Sequence, residues 1–202
     1  MALLTAAEAR SQIPELTGTA EDTLIDTLIA AVGVTLAAWC GYPPATAGGS
    51  PTLESTSYTE FLDGPGGREL HVPVYPLTAI ASIYDDPAWT WGAADLVASG
   101  DYAISDGRTG LVLLGETSTH GTWSRSRRSI KIAFTAGFAT IPGDIKRAAA
   151  IAVRTLWDLR RQQGKESVSG GGNISLSLRE EEAVVAIARQ MLAHRRLAQA
   201  WL

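Results

Sequence analysis

The stretch that most constrains this chain runs from Ile132 to Arg161, IAFTAGFATIPGDIKRAAAIAVRTLWDLRR. An apolar, strand-like run (Ile130, Ile132, Phe134) ends at Gly137, and a turn at Pro142 and Gly143 leads into a long helix. Asp144 is the expected N-cap, because a carboxylate there accepts a bond from an orphan N–H of the first turn. Ile145, Ala148, Ala149, Ala152, Leu156 and Leu159 then recur at helical spacing, while Ile151, Val153 and Trp157 lie off that stripe. A helix apolar on more than one face needs partners on several sides, either a core or other subunits.

Before this run the chain alternates between two textures. Thr5 to Glu8 is a capping-box pattern and predicts a helix over residues 5–12 that stops before Pro14. Acidic residues Glu21 and Asp22 open a second helix over 19–40, with Leu24, Ile25, Leu28, Ile29, Val32, Leu36 and Trp39 as its apolar stripe, Gly41 as its stop and Pro43-Pro44 beyond. Residues 55–135 are instead rich in Val, Ile, Tyr and Thr in short runs broken by Gly, Pro and Asp. Six short strands are predicted there, at 58–62, 69–72, 80–84, 102–105, 111–114 and 129–134. Asp106 to Gly110 suits a hairpin in which Gly107 and Gly110 take positive φ.

The end of the chain changes again. Residues 164–178, GKESVSGGGNISLSL, combine a Gly-Ser tract with the alternating Ile174, Leu176 and Leu178, which reads either as a plain linker or as an arm that adds a strand to another subunit. From 179 to 202 a last helix carries Glu180, Glu181 and Glu182 at its start and Arg189, His194, Arg195 and Arg196 towards its end, as the helix dipole favours.

Candidate chemistry is sparse. The net charge of −4 and pI near 5.4 mark neither a nucleic-acid nor a membrane binder. The single cysteine, Cys40, excludes an internal disulfide and reads as a buried inert thiol. The uncharged run 28–40 falls short of the about 18 residues of a membrane span. His71, His120 and His194 have no ligand spacing, so no metal is expected. No G-x-S-x-G elbow is present, and neither glycine cluster, at 64–67 or 170–172, leads into a phosphate loop. The chain is expected to be no enzyme and to need no cofactor. One basic cluster, Arg125, Arg127, Arg128 and Lys131, would present several charges from one face of a strand, to DNA or to an acidic partner.

In order along the chain, LLTAAEARSQI, EDTLIDTLIAAVGVTLAAWCGY, FLDGPGGRELHVPVYPLTAIASIY and IKIAFTAGFATIPGDIKRAAAIAVRTLWDLRR resemble the head–tail connector (adaptor, or head-completion) proteins of long-tailed bacteriophages and gene transfer agents. The resemblance implies an α+β, mainly helical connector fold with two N-terminal helices, a long central helix, a C-terminal helix and an inserted small antiparallel sheet. Residues 1–163 would be the adaptor domain, 164–178 a flexible arm and 179–202 a portal-docking helix. Further implied are a dodecameric ring under the portal, a DNA channel through it without sequence readout, and a surface for stopper or tail-completion proteins, all at the virion neck after assembly in the bacterial host cytoplasm. Partners would be the portal, the stopper, other copies and the packaged duplex, with no membrane.

Carried onto this chain, portal docking falls to Arg179, Ile187, Met191, Arg195, Arg196, Leu197, Trp201 and Leu202. Contacts between copies fall to Trp157, Arg160, Arg161, Ile174, Leu176 and Leu178. A stopper or tail-terminator role, and a DNA-packaging role through the arginine cluster, are the alternatives.

Overall fold

A computed structural model describes residues 3–16, 18–162, 186 and 189–197. The chain divides into two compact units, one from the segments up to Cys40 and from Thr140 to Arg196, the other from Gly41 to Ala139 together with Leu197.

The first unit is helical. Helix α1 (Ala6–Arg10) has the capping box written in its sequence: Glu8 N–H donates to Thr5 Oγ1 at 3.1 Å, and Thr5 N–H to Glu8 Oε2 at 2.8 Å. Helix α2 (Asp22–Cys40) buries Ile25, Ile29, Val32, Leu36, Ala37 and Cys40, and Gly41 at φ 90° ends it. By length and composition alone α2 is apolar enough to cross a membrane. Its buried stripe, lying along α1 and helix α3 (Gly143–Gln162), gives it instead the character of a core helix. Ile145, Ala148, Ala149, Ala152, Val153 and Trp157 of α3 are buried, and the small alanines let helices approach closely. Lys146 reaches Glu8 at 2.8 Å and Arg10 reaches Asp22 at 3.1 Å.

Asp144 departs from its expected role. The helix already begins at Gly143, which places Asp144 within the first turn. Its carboxylate accepts from Arg195 Nε at 2.9 Å, from Arg195 Nη2 at 3.1 Å and from His194 Nε2 at 3.1 Å.

The second unit contains six strands: β1 (Thr56–Leu62), β2 (Glu69–His71), β3 (Leu77–Asp85), β4 (Tyr102–Asp106), β5 (Leu111–Leu114) and β6 (Ile130–Ala136). All six predicted strands form, in two antiparallel three-stranded sheets ordered β1-β6-β3 and β2-β5-β4. On the inner face of the first sheet, Tyr58 pairs with Phe134 and Glu60 with Ile132. Phe134, Ile132, Ile130 and Ile83 are essentially inaccessible. The alternate residues Phe61, Lys131 and Tyr84 form one row on the outer face.

The 63–67 turn passes from one sheet to the other, because β1 pairs with β6 rather than with β2. In the β4–β5 hairpin only Gly110 has positive φ, at 70°. Gly107 is required for another reason: a Cβ there would collide with the Leu77 carbonyl, while its own carbonyl accepts from Leu77 N–H at 2.6 Å and ties β3 to the other sheet.

The expectation of a mainly helical connector fold around a long central helix is therefore corrected. Among the described residues helix accounts for 31% and strand for 24%, and the longest helix spans 20 residues. The physical reason is that residues 56–136 bury their own alternating apolar set. They build a core of two sheets where a minor insert was expected.

Candidate functional site

The surface feature with the most built-in structure lies at the end of β1, where Phe61, Trp89, Trp91 and Arg128 line an open hollow of about 360 Å³. Phe61 is 39% exposed and Trp89 58%, the two most exposed aromatic side chains among the described residues. The rings of Phe61 and Trp91 lie 5.4 Å apart at 55°, and the Arg128 guanidinium sits 5.3 Å from the centre of the Phe61 ring. Next in the same row, Lys131 lies 5.5 Å from the Tyr84 ring. Cations over aromatic faces are held by the ring quadrupole while their charge still faces solvent.

Two adjacent carboxylates at the end of β3 build this site. Asp86 gathers the loop that follows it, accepting from Ala88 N–H at 2.7 Å, Trp91 N–H at 3.0 Å, the Thr90 hydroxyl at 2.8 Å and also the Thr90 N–H. Burial pushes this carboxyl up, but the N–H groups of Trp91, Ala88 and Thr90 and the Thr90 hydroxyl outweigh it and bring it down to about 2. That web holds Trp89 and Trp91 at φ 62° and 54°, in the left-handed region that bulky residues avoid. Arg128 is left-handed as well, at φ 49°. Such conformations cost about 1–3 kcal/mol each and persist only where the surroundings over-determine them.

Asp85 faces the other way and organises the loop before β6. Its carboxylate accepts from Ser124 N–H at 2.8 Å, from the Ser124 hydroxyl and from His120 Nε2 at 2.7 Å. Ser124 Oγ also lies 2.8 Å from Ser129 Oγ. Although the cluster contains Ser, His and Asp, the carboxylate stands between the imidazole and the hydroxyl. The imidazole does not touch the hydroxyl, so this is not the serine–histidine–carboxylate order of a hydrolase triad, and the contacts fix the loop. Trp89 Nε1 donates to the Arg127 carbonyl at 3.2 Å and Arg128 N–H donates to Asp63 at 2.7 Å, locking the two loops to each other and to β1.

The basic cluster is thus placed differently from the strand face expected. Only Lys131 lies on β6, while Arg125, Arg127 and Arg128 are exposed on the loop before it. Among the described residues none of the four has an ion-pair partner. The aromatic interleaving absent from the local sequence is supplied by tertiary structure, through Phe61, Trp89 and Trp91. Sequence reasoning missed these three; the available signal was Asp-Asp-Pro at a strand end followed by Trp-Thr-Trp-Gly.

Other expected site residues fall elsewhere. Trp157 is 5% exposed, its indole N–H has no partner among the described residues, and Arg160 lies over its ring at 5.6 Å and 3.8 Å from Glu21. Arg195 holds Asp144, Arg196 lies 5.5 Å from the Trp39 ring, Met191 is half-buried and Leu197 is buried. Arg161 closes α3. Arg179, Ile187, Trp201, Leu202, Ile174, Leu176 and Leu178, together with most of the 164–178 and 179–202 segments, lie outside the described residues. Cys40 is buried, and burial pushes its thiol up to about 11 despite the nearby Arg196 and Arg195 charges. Among the described residues no cluster of His, Cys, Asp and Glu is arranged to hold a metal.

Comparison with known proteins gives these features a context. A solved structure described as the virion of a native gene transfer agent particle contains a chain similar to this one, with a TM-score of 0.55 and 19% identity, over 98% of this chain and 92% of that one. That similarity is one of fold. No curated protein matches the chain at a significant level. Residues 2–197, nearly the whole sequence and both structural units, match the family of head completion proteins. This chain belongs to the head completion protein family.

Proposed function

We propose that this structural head-completion protein forms a closed ring, dodecameric like the portal it sits beneath, that extends the DNA channel and presents a surface to stopper or tail-completion proteins. The observation that carries the reading is the family match over nearly the whole chain. The helical unit supports it: α2 leaves Ala30, Ala31, Val34 and Ala38 exposed on an uncharged face, which suits the close helix contacts of a ring closed by heterologous interfaces. In this reading the 164–178 segment contacts a neighbouring copy and the C-terminal residues contact the portal. Ordering them only at the portal would delay assembly until the portal is present.

The structure shapes the test of portal docking. Leu192 is fully buried and Arg195 is tied to Asp144, so deleting everything from Arg179 onward would also damage the helical unit. Removing only residues 198–202 spares those contacts. The truncated protein is expected to keep its circular dichroism and thermal midpoint and to lose at least tenfold in portal affinity. Electron microscopy of the intact protein with its portal should show a stoichiometric ring stacked on it. A ring seated on tail tubes with none on the portal would refute the adaptor position.

A further inference from the structure

We propose that the hollow beside β1 receives residues 174–182 of a second copy of this chain, so that each subunit gives a strand to one neighbour and takes one from the other. The inference rests on the ring reading and names the contact that closes the ring.

Three observations converge. Among the described residues β1 pairs only with β6, which leaves its outer backbone groups as a template for an added strand. The opposite edge is partly taken, since Leu96 bridges Tyr84 and Val97 N–H donates to the Ile83 carbonyl at 2.9 Å. Second, the open edge ends at the aromatic hollow, which Arg128 lines; Arg125 and Arg127 are exposed on the same loop, and among the described residues none of the three has an ion-pair partner. Third, the sequence of 174–182, Ile-Ser-Leu-Ser-Leu-Arg-Glu-Glu-Glu, complements both. Alternation gives Ile174, Leu176 and Leu178 a common face suited to apolar walls. The three glutamates that follow match Arg125, Arg127 and Arg128 in number and oppose them in sign.

Residues 163–173, which connect α3 to this segment, reach at most roughly 35 Å when extended, and that sets the span the contact between copies must not exceed. A closed ring also requires two unlike surfaces on every subunit, and a donated strand with an open edge is such a pair. Duplex DNA would satisfy the arginines but leave the indoles uncovered, since its bases are stacked inside the helix.

Full-length chains lacking the native thiol (Cys40→Ala) provide the test. One carries Thr59→Cys on exposed β1, and the other carries a single cysteine at each position from 174 to 178 in turn. Mixed and oxidised with the portal, they should give a 1:1 disulfide product, at least fivefold more from one alternate set of positions than from the other. Arg127→Glu with Arg128→Glu should reduce that product at least tenfold, and Glu180→Lys with Glu181→Lys on the other chain should restore it.

Rings on the portal with no product, or with a flat profile, would overturn the strand contact and leave the ring reading standing. A product without portal rings would support the contact and overturn the portal position; neither product nor ring would overturn both. A chain bearing Thr59→Cys and Leu176→Cys that closes mainly on itself would overturn exchange between copies. So would an oligonucleotide that, added before oxidation, abolishes the product.

Discussion

The Asp144–Arg195 pair offers a quantitative test of how firmly the C-terminal segment is held to the helical unit. Two nearly parallel hydrogen bonds, at 2.9 and 3.1 Å, link the first turn of α3 to a residue far along the chain. Fully desolvated, a charge-assisted pair of this kind contributes about 1.5–3 kcal/mol. Fully exposed, it contributes about 0–1 kcal/mol. Both side chains are about one-third exposed, at 33% and 34%, so a coupling of about 1 kcal/mol is expected. Asp144→Ala should cost more than Arg195→Ala, because Asp144 also faces the positive end of α3, an effect of about 0.3–1 kcal/mol. Urea unfolding of both single variants and the double variant isolates the coupling, which should shrink in 1 M salt (a Debye length of about 3 Å).

The pH dependence has a definite sign. Burial raises the Asp144 carboxyl, but the hydrogen bonds and charge of Arg195, with Ile145 N–H and His194, outweigh it and leave it below the ordinary aspartate value of 3.8. The pair's contribution is therefore complete above 3.8 and is lost as pH falls through the lower folded value. A coupling under about 0.3 kcal/mol, within the usual additivity error, would refute the reasoning.

Asp86→Asn should release the Trp89–Trp91 loop, seen as a red shift and stronger quenching of tryptophan emission with little change in far-ultraviolet dichroism. In the unaltered protein the same optical change should occur only in acid, as pH falls from 3.8 through about 2, because the folded carboxyl is depressed. Gly64→Ala should impair folding, since its Cβ would overlap the Ser124 carbonyl; a thermal midpoint within two degrees or so of the parent would count against that packing. Phe134→Ala, at a 1% exposed site stacked on Tyr58, should cost about 3–5 kcal/mol in urea unfolding.

Much of the local structure is legible in the residues. The Thr5–Glu8 box, the Gly41 stop and the six β runs are short-range signals, set by caps, backbone sterics and side-chain alternation. What misled was their weight. Six strands of three to nine residues look like an insert beside two long helical stripes, yet they carry a core of their own. Pairing was the less legible part. The sequence marks residues 63–67 only as a glycine-rich turn and does not say which strand β1 takes; it pairs with β6, placing Tyr58 beside Phe134 on the buried face. The aromatic hollow was illegible for a similar reason. Its members stand at 61, 89, 91 and 128, and the left-handed backbone that points the indoles outward depends on Asp86, not on a glycine.

The pairing order also has a consequence for how the chain is made. Partners are nested: α2 waits for α3, β1 inside them waits for β6, and β2 inside those waits for β5. During synthesis the apolar stripe of α2 emerges by residue 40, while α3 begins only at residue 143. The second unit cannot complete its core until β6 leaves the ribosome, nor the first until α3 does, so folding is governed by distant contacts. In that interval the α2 stripe lacks its α3 partner, and a nascent chain stalled before Gly143 should bind an apolar-sequence holdase chaperone more strongly than the released protein.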